Sequence, residues 1–460
     1  MIKCISPVDG TVYAERTPAT PVQIDAALQR AVAAQRSWRE VPIAERAAII
    51  ERFCAEFERR GAAIANGLSW QMGRPIRFAP SEVRGTLERA RYMNGIAAAA
   101  LADLDAGPKA GFRRFIRREP LGVVFTVAAW NYPYLIAVNS VVPALLAGNA
   151  VLLKHSAQTP LCGECFAECF AAAGLPAGLF PVLHLSHADT ERVIRDPRID
   201  FVAFTGSVAG GRAVQRAAAA RFIGVGLELG GCDPVYVRHD ADLPHAIENI
   251  VDGAYFNSGQ SCCGLQRIYV HESIYESFTR GCMELIRQYR LGDPLDPETT
   301  LGPVVRAAAA DAVRAQVRAA VDAGARPMIG EREFPRSRPG TPYLAPQLLL
   351  DAPATSAVMR EEIFGPVAGV MKVHSDADAV AQMNDNPFGL TAAVWTRDAA
   401  AAEHLGGQVQ TGTWFMNRCD YLDPALAWVG VKDSGRGCTL SVVGYEHLTR
   451  PKSFHLRVTT

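Results

Sequence analysis

Leu121-Gly122-Val123-Val124-Phe125-Thr126-Val127 is a compact apolar run that suits a strand buried on both faces. Helical spacing follows at 138–146 and at 161–173, and further strands are predicted at 149–154 and 201–204. Strands separated by helices of about ten or more residues indicate βαβ units. The sequence therefore predicts a parallel sheet, which binds its ligands outside the carboxyl ends of the strands.

Polar residues follow three of these strands, at the edge where a ligand is expected. Trp130-Asn131-Tyr132-Pro133 follows the first strand, Lys154-His155-Ser156 ends the second, and Thr205-Gly206-Ser207 ends the third before a helix N-terminus. A helix N-terminus favours a phosphate group. Because no GxGxxG motif follows a strand, spacing alone gives only a weak indication of a dinucleotide.

The rest of the chain indicates a larger α/β protein. Its 460 residues exceed what one core holds, so two or three domains are expected. Amphipathic helices are predicted at 24–38 and 43–64, and a second α/β block at 235–289. The basic segment 112–118 is predicted to be a solvated edge strand, and 452–458 an edge strand available to a partner subunit.

Composition limits the partners and the compartment. Lys plus Arg and Asp plus Glu both number 47, so no excess of charge points to nucleic acid or to an acidic membrane surface. The odd count of 11 cysteines argues against complete disulfide pairing. The first residues lack the apolar core of a signal peptide, and no uncharged apolar run of about 18 residues occurs. We therefore expect a cytoplasmic protein that binds small molecules or copies of itself.

A candidate nucleophile lies in Phe256-Asn257-Ser258-Gly259-Gln260-Ser261-Cys262-Cys263-Gly264, a polar turn after a helical run. A thiol becomes reactive at neutral pH where positive potential lowers its pKa from about 8.5. Taken alone, Cys262 and Cys263 are also compatible with buried structural cysteines, because free cysteine is among the most buried residue types.

Three further features carry candidate chemistry. Glu228 lies among apolar residues and glycines in Gly224-Val225-Gly226-Leu227-Glu228-Leu229-Gly230-Gly231, where burial would raise its pKa toward that of a general base. Asn131 offers an amide that can donate to an oxyanion, although asparagine is also common in turns. Cys162, Cys165 and Cys169 have metal-ligand spacing, but their helical period predicts a buried helix face, so no metal is expected.

The segments around Cys262 and Glu228 closely resemble the two signatures of the NAD(P)-dependent aldehyde dehydrogenases. Further motifs of that family follow in the family's order along nearly the whole chain: Trp130-Asn131-Tyr132-Pro133, Lys154, Phe204-Thr205-Gly206-Ser207, Glu361-Glu362-Ile363-Phe364-Gly365-Pro366, Asn386-Pro387-Phe388-Gly389-Leu390 and Lys432-Asp433-Ser434-Gly435. The resemblance implies an α/β fold in three parts, which are a Rossmann-type cofactor domain (1–100 and 121–228), an α/β catalytic domain (229–434) and a small β oligomerisation element (101–120 and 435–460). It also implies a homodimer or a homotetramer.

The resemblance assigns catalytic roles as well. Cys262 would attack the aldehyde carbon, and the Asn131 amide and the backbone N–H of Cys262 would hold the oxyanion. After hydride leaves for the nicotinamide, Glu228 would activate the water that hydrolyses the thioester to a carboxylic acid. The CoA-acylating branch commonly lacks this glutamate, so its presence argues against that branch. A non-catalytic dinucleotide-binding protein of the same fold is the alternative from another class.

Cofactor contacts are implied in the same way. They are Lys154 toward the adenosine ribose, Trp130 and Ser207 toward the pyrophosphate, Thr205 and Gly206 in the same motif, Glu362 toward the nicotinamide ribose and Phe364 against the ring. NAD-preferring members usually carry a glutamate three residues after the lysine, where this chain has Ala157. A carboxylate there would repel a 2′-phosphate, so its absence admits NADP as well as NAD.

The implied substrate pocket comprises Tyr132, Ile136, Ser261, Cys263 and Trp428. Tyr132 and Trp428 match aromatic positions with which aminoaldehyde-oxidising members surround a cation, whereas Asn139 stands at a third such position. An aminoaldehyde and a broad range of aldehydes both stay open. Many members carry a lysine at Ser140 and an acidic residue at Val442, so Glu228 is expected to act with less help. Cys263 is expected to be a spectator or a site of reversible oxidation.

Overall fold

The computed structural model describes residues 1–459, and Thr460, the last residue of the expected element 435–460, lies outside them. The strands are β1 (Ile2–Ile5), β2 (Val12–Arg16), β3 (Leu104–Asp105), β4 (Phe112–Pro120), β5 (Val123–Val127), β6 (Ala150–Lys154), β7 (Phe201–Thr205), β8 (Gly224–Glu228), β9 (Asp233–Val237), β10 (Leu265–His271), β11 (Arg326–Pro327), β12 (Gln347–Leu350), β13 (Val367–Val373), β14 (Phe388–Gly389), β15 (Thr391–Trp395), β16 (Thr413–Met416), β17 (Val431–Lys432), β18 (Gly435–Arg436) and β19 (Thr449–Arg457).

The helices are α1 (Pro21–Trp38), α2 (Ile43–Arg59), α3 (Gly61–Met72), α4 (Ala79–Ala100), α5 (Pro133–Leu146), α6 (Pro160–Ala172), α7 (His187–Arg195), α8 (Val208–Ala218), α9 (Leu243–Tyr255), α10 (Tyr275–Ile286), α11 (Ala307–Asp322), α12 (Ala357–Arg360), α13 (Asp376–Asn384), α14 (Ala399–Gly406) and α15 (Ser441–His447). Within residues 1–459, no helix is both long and apolar enough to cross a membrane.

The first sheet confirms the parallel strands predicted between residues 121 and 204. Its order is β18-β8-β7-β5-β6, with β5 to β8 parallel and the short β18 antiparallel to β8. The chain passes from β5 to β6 on one side and reaches β7 on the other, so the strand order reverses at β5. Such a reversal leaves a crevice at the carboxyl ends of the strands. Trp130 follows β5 and Ser207 follows β7 at this edge.

The second sheet has the order β11-β12-β13-β10-β9-β15-β16 and is parallel except for β11. Glu228 ends β8 of the first sheet, and a short link leads from it directly into β9 of the second. Cys262 precedes β10, whose Leu265 pairs with Asp233 at the start of β9. A side chain at Gly231 in the link would collide with the carbonyl of Cys262. The pairing of β9 with β10 therefore brings the two predicted catalytic segments together.

The third sheet corrects the prediction that residues 112–118 form an edge strand. Its order is β19-β4-β3, so β4 lies in the middle, and β19 pairs with it along nine positions from Thr449↔Pro120 to Arg457↔Phe112. Phe115 stacks on Phe454 with ring centroids 4.5 Å apart. The local pattern could not reveal this pairing, because the partner strand lies more than 300 residues further along the chain.

The segment 435–460, expected to form one element, is divided in the structure. β18 joins the first sheet beside Glu228, α15 packs against α4 and α5, and only β19 belongs to the third sheet. The remaining domain boundaries stay a prediction.

The predicted N-terminal helices form, with one interruption: α1 packs on β6 and β5, and α2 packs on α4, α5 and α6. The expected helical segment 43–64 is broken at Arg60, which has φ −88° and ψ 3° and precedes Gly61. Glycine is a poor helix former, so the break coincides with a weak position. The cysteine face of α6 is confirmed as a packed face, since Cys162 and Cys169 are buried in the core and Cys165 is half-buried.

A buried ion pair joins the helical layer to the turns that carry the predicted site. Arg74 follows α3 and pairs with Glu82 in the first turn of α4, and their side chains are 1% and 0% exposed. Glu82 Oε1 accepts a hydrogen bond of 2.8 Å from the backbone N–H of Tyr134 at the start of α5. Arg74 Nη2 donates to the carbonyl of Asn131 (2.6 Å), and its Nε donates to Asn257 Oδ1 (3.2 Å).

Glu82→Gln is expected to destabilise the protein by about 3–5 kcal/mol, because it leaves the Arg74 charge buried without its partner. Urea unfolding measures this loss. The matched control is Glu58→Gln, which removes the exposed partner of Arg91 (2.7 Å) and is expected to cost less than about 1 kcal/mol. Equal losses in the two variants would show that the buried pair does not hold the fold.

Candidate active site

One cavity of about 320 Å³ collects most of the predicted catalytic and substrate residues. Its walls come from α4, from the turn before α5 and α5 itself, from the ends of β7 and β8, from the segment around Cys262 and from the segment 420–428. The lining residues include Cys262, Cys263, Glu228, Thr205, Tyr132, Ile136 and Trp428. Ser261 lies behind this wall, where its hydroxyl donates to Asp420 Oδ1 at 3.0 Å. The predicted nucleophile and the predicted base thus open into the same space.

The turn that leads to Cys262 is held in a left-handed conformation. Asn257 and Ser258 have φ values of 52° and 57°, which cost roughly 1–3 kcal/mol each in a non-glycine residue. Side-chain bonds hold the turn in place: Ser258 Oγ donates to the carbonyl of Gly302 (2.8 Å), and Asn257 Nδ2 donates to the carbonyl of Gln260 (3.1 Å). Because these contacts fix the turn, the position of Cys262 is set by the protein and not by the substrate.

The two adjacent thiols have different environments. Cys263 is buried and donates its S–H to Asp420 Oδ1 at 2.9 Å. The contact with the Cys262 thiol, together with burial, raises the pKa of Cys263 well above its usual range. Cys262 is half-buried and lines the cavity. Since only a thiolate attacks a carbonyl efficiently, Cys262 is the better placed nucleophile of the two.

Glu228 is a half-buried carboxyl with two hydroxyl donors. Thr439 Oγ1 donates to Oε1 at 2.5 Å, and Thr205 Oγ1 donates to Oε2 at 3.3 Å. Burial raises the pKa of Glu228, while the Thr439 bond, the nearby Arg89 charge and the Thr205 bond oppose this shift. A second, smaller cavity of about 30 Å³ reaches the other side of Glu228 and has room for about one water. A raised pKa and room for a water are what a general base for hydrolysis needs.

Asn131 lies next to the cavity but does not line it. It is 4% exposed, its carbonyl accepts from Arg74 and from Asn257 Nδ2 (3.1 Å), and its own Nδ2 donates to the carbonyl of Gln260 at 3.2 Å. The second N–H of the amide makes no hydrogen bond within residues 1–459. The Asn131 side chain is therefore held in one orientation, and one N–H of its amide is free to donate. Its role in an oxyanion hole stays a prediction.

Side chains whose properties suit a dinucleotide lie around the crevice at the carboxyl ends of β5 and β7. Ser207 caps α8 by accepting from the N–H of Gly210 at 3.2 Å, so the helix N-terminus faces the crevice without a side-chain anion. The rings of Trp130 and Phe364 meet edge to face with centroids 5.6 Å apart. Glu362 accepts one bond, from the N–H of Gly231 (3.2 Å), and burial raises its pKa to about 7. This under-partnered carboxyl suits a ligand that brings hydroxyl donors.

The residues expected near the adenosine ribose lie at the end of β6. Lys154 is the last residue of that strand, and burial lowers the pKa of its ammonium group. Ala157 is exposed in the following turn. Gly206 closes the end of β7, where its N–H donates to the carbonyl of Glu228 at 3.0 Å.

Three residues that the sequence did not single out complete the site: Asp420 and Arg89 line the larger cavity, and Thr439 lines the smaller one. Asp420 holds Ser261 and Cys263, and burial raises its pKa to about 6. Thr439 is placed by paired backbone bonds with Trp428 (2.9 and 3.0 Å) and holds Glu228. Arg89 is a buried cation on α4 that lines the cavity. Only Arg89 left a signal in the sequence, because it interrupts the apolar face of an amphipathic helix.

Comparison with known proteins shows to which family the chain belongs. The model of the aldehyde dehydrogenase family matches residues 1–454. The NADP⁺-dependent succinate-semialdehyde dehydrogenase of Mycobacterium avium is 34% identical over 455 residues, which are 98% of this chain and 96% of the relative.

Two solved structures are similar over almost the entire chain. The succinic semialdehyde dehydrogenase of Streptococcus pyogenes in complex with NADP⁺ has a TM-score of 0.95 at 27% identity. The match covers 99% of this chain and 100% of that one. The NAD-dependent aldehyde dehydrogenase of Sinorhizobium meliloti has a TM-score of 0.96 at 31% identity, with 100% of this chain and 92% of that one covered. The predicted fold class is thereby confirmed, and the chain belongs to the aldehyde dehydrogenase family, a family of oxidoreductases.

Proposed function

We propose that this protein oxidises an aldehyde to the carboxylic acid, with Cys262 as nucleophile and Glu228 as general base. The observation that carries the proposal is that both side chains open into one cavity of about 320 Å³. NAD or NADP is the proposed cofactor. The name of the Mycobacterium relative and the titles of the two solved structures support this choice.

In the first half-reaction the Cys262 sulfur forms a bond to the aldehyde carbon, and the carbonyl oxygen becomes an oxyanion. The spare N–H of Asn131 and the backbone N–H of Cys262 would stabilise that charge. When bound, the nicotinamide accepts the hydride, which leaves the former aldehyde carbon with its electron pair. A thioester on Cys262 results.

In the second half-reaction Glu228 takes a proton from water, and the resulting hydroxide attacks the thioester carbon. The C–S bond breaks, which releases the carboxylic acid and returns the Cys262 thiolate. The hydroxyls of Thr439 and Thr205 orient the carboxylate for this step. The presence of this base favours hydrolysis over transfer of the acyl group to CoA.

The relatives add an acidic aldehyde to the aminoaldehyde and the broad range of aldehydes that the sequence left open. Tyr132 and Trp428 line the cavity, as an aminoaldehyde site requires, but the Arg74 guanidinium already lies over the Tyr132 ring, 4.6 Å from its centroid. The relatives from Mycobacterium and Streptococcus are named for succinate semialdehyde, an aldehyde whose far end is a carboxylate. An acidic aldehyde is therefore the first candidate and an aminoaldehyde the second.

Replacing the two central residues should separate the half-reactions. We expect Cys262→Ala to abolish aldehyde-dependent reduction of NAD⁺ and NADP⁺, because no thioester can form. We expect Glu228→Gln to give a burst of reduced cofactor close to one per active site and then to turn over roughly 10²–10⁴-fold more slowly, because the thioester forms but lacks its base.

Stopped-flow absorbance of the reduced nicotinamide checks both results. Cys165→Ala, which removes a thiol on the distant helix α6, is the control and should turn over normally. Activity retained in Cys262→Ala would contradict the nucleophile, and full turnover in Glu228→Gln would contradict the base. Turnover of the native enzyme that requires CoA would instead favour acyl transfer.

Thr439→Val should move the acid limb of the pH profile of kcat to higher pH. The Thr439 hydroxyl stabilises the Glu228 carboxylate and so lowers its pKa. Its removal raises that pKa further, and a base is active above its pKa and is lost as pH falls through it. Thr439→Ser keeps the hydroxyl and should keep the native profile. An unchanged profile in Thr439→Val would show that Glu228 does not limit kcat.

Ala157→Glu should make the enzyme discriminate against NADP⁺. A carboxylate at this exposed position accepts a bond from a ribose 2′-OH but repels a 2′-phosphate. We expect the Kd for NADP⁺ to rise at least about tenfold, while that for NAD⁺ changes little. Cofactor binding by titration calorimetry, without aldehyde, gives both values. Ala157→Gln, which has the same size without the charge, is the control.

A further inference from the structure

Arg89 differs from the other buried arginines that surround the site, because two of its nitrogens make no hydrogen bond. Arg74 pairs with Glu82. The nitrogens of Arg267 donate hydrogen bonds to a tyrosine hydroxyl and to three backbone carbonyls, those of Cys232, Gln382 and Met383. Within residues 1–459, no carboxylate lies within 4.0 Å of the Arg89 nitrogens, although the residue is only 8% exposed. Arg267 has no carboxylate within this distance either, but its nitrogens are all bonded, whereas Glu228 acts on Arg89 only from further away. Burying a charge whose hydrogen bonds are incomplete is costly, so a ligand that brings negatively charged oxygens would stabilise Arg89.

The hydrogen bonds of Arg89 leave one side of its guanidinium free. Nη1 donates to the carbonyl of Leu135 (3.0 Å) and to Asn139 Oδ1 (3.2 Å), both on α5. Nε and Nη2 make no hydrogen bond within the described chain. They are not among its fully buried polar atoms without a partner, so they are accessible from the cavity or from solvent. Since Arg89 lines the cavity, these donors open into it. The bonds to α5 fix the guanidinium plane, so the free donors have a set direction.

The other charged groups of the cavity do not offer this arrangement. Arg84 and Glu88 lie exposed on α4, where solvent screens them. Asp420 uses Oδ1 to hold Ser261 and Cys263. Glu228 is the proposed base. Arg89 is thus the one buried cation among the residues that line the cavity in the described chain, and its free face matches the two oxygens of a carboxylate.

We propose that Arg89, held by Asn139, binds the distal carboxylate of the aldehyde and so determines the specificity of this enzyme for acidic aldehydes. The inference rests on the proposed aldehyde oxidation and adds to it the residue that selects the substrate. It also accounts for Asn139, which stands where aminoaldehyde-oxidising members carry an aromatic side chain and which here positions a cation. An ammonium group at the same place would face a like charge in a buried site.

Three aldehydes of the same length test the proposal: butanal is neutral, 4-oxobutanoate carries a carboxylate and 4-aminobutanal carries an ammonium group. The full-length enzyme is assayed with each at a pH on the plateau of its profile, with saturating cofactor. We expect the native enzyme to have its highest kcat/KM for 4-oxobutanoate. Arg89→Gln should lower that kcat/KM roughly 10- to 150-fold, mainly through KM, because it removes a hydrogen-bonded charge pair. Its kcat/KM for butanal should stay within about threefold.

Two further variants complete the experiment. Arg89→Lys keeps the charge but loses the planar fork, and should give an intermediate KM for 4-oxobutanoate. Arg91→Gln, made two residues further along α4 on its exposed side, is the control and should behave as the native enzyme does. Competitive inhibition by succinate, which carries the same carboxylate, should weaken in parallel with the change in KM.

The outcomes separate the inference from the proposed function. Equal losses with butanal and 4-oxobutanoate in both Arg89 variants would overturn the inference, because Arg89 would then support the fold alone. A native preference for 4-aminobutanal would overturn it in favour of a cation site. A native enzyme inert toward all three aldehydes would overturn the proposed function itself, and the inference with it.

Discussion

Arg74 and Glu82 lie where neither side chain reaches water, so their desolvation must be offset by what they contact. Besides each other, those contacts are the backbone of Asn131, the N-terminus of α5 and the side chain of Asn257. The ion pair therefore stabilises the turn after β5 and the turn before Cys262 at the same time. These two turns belong to different sheets, and the strained backbone at Asn257 and Ser258 persists because such contacts hold it. Electrostatic energy from the helical layer thus maintains the geometry of the thiol segment.

The sequence predicted the elements whose signal is local. The buried strand at 123–127, the alternation of strands and helices that follows it, and the segments around Cys262 and Glu228 all depend on neighbouring residues or on a motif. It failed where the partner is distant: β4 was predicted as an edge strand because β19, which covers one side, lies at the other end of the chain. Asp420 gave no signal for the same reason, since its importance comes only from the side chains of Ser261 and Cys263 that it meets in the fold. Arg89 did give a signal in the sequence, because it lies with Glu82 on the buried face of α4, where charged residues are rare unless they are paired or functional.

Adjacent cysteines create a problem of selectivity that this fold resolves with Asp420. Two thiols with equal access would compete for the same carbonyl and would form oxidised products together. Here Cys263 is buried and donates to Asp420, and both its contact with Cys262 and its burial keep it in the thiol form. Burial raises the pKa of Asp420 to about 6, so at neutral pH its carboxylate is still largely ionised and accepts the S–H of Cys263. Cys262 is left as the thiol with access to the cavity, so the choice between the two rests on burial and one hydrogen bond.

In the proposed mechanism, the position of Arg89 links the selection of the substrate to the strength of Glu228 as a base. Its charge lowers the pKa of Glu228 and so opposes the effect of burial on that carboxyl. A carboxylate bound at Arg89 would offset part of this charge, and the pKa of Glu228 would then rise. A stronger base takes a proton from water more readily, provided that it is still ionised at the working pH. An acidic substrate would thus bring, together with its own binding energy, a base better suited to hydrolyse its thioester, whereas a neutral aldehyde would meet Glu228 with the full charge of Arg89 still acting on it.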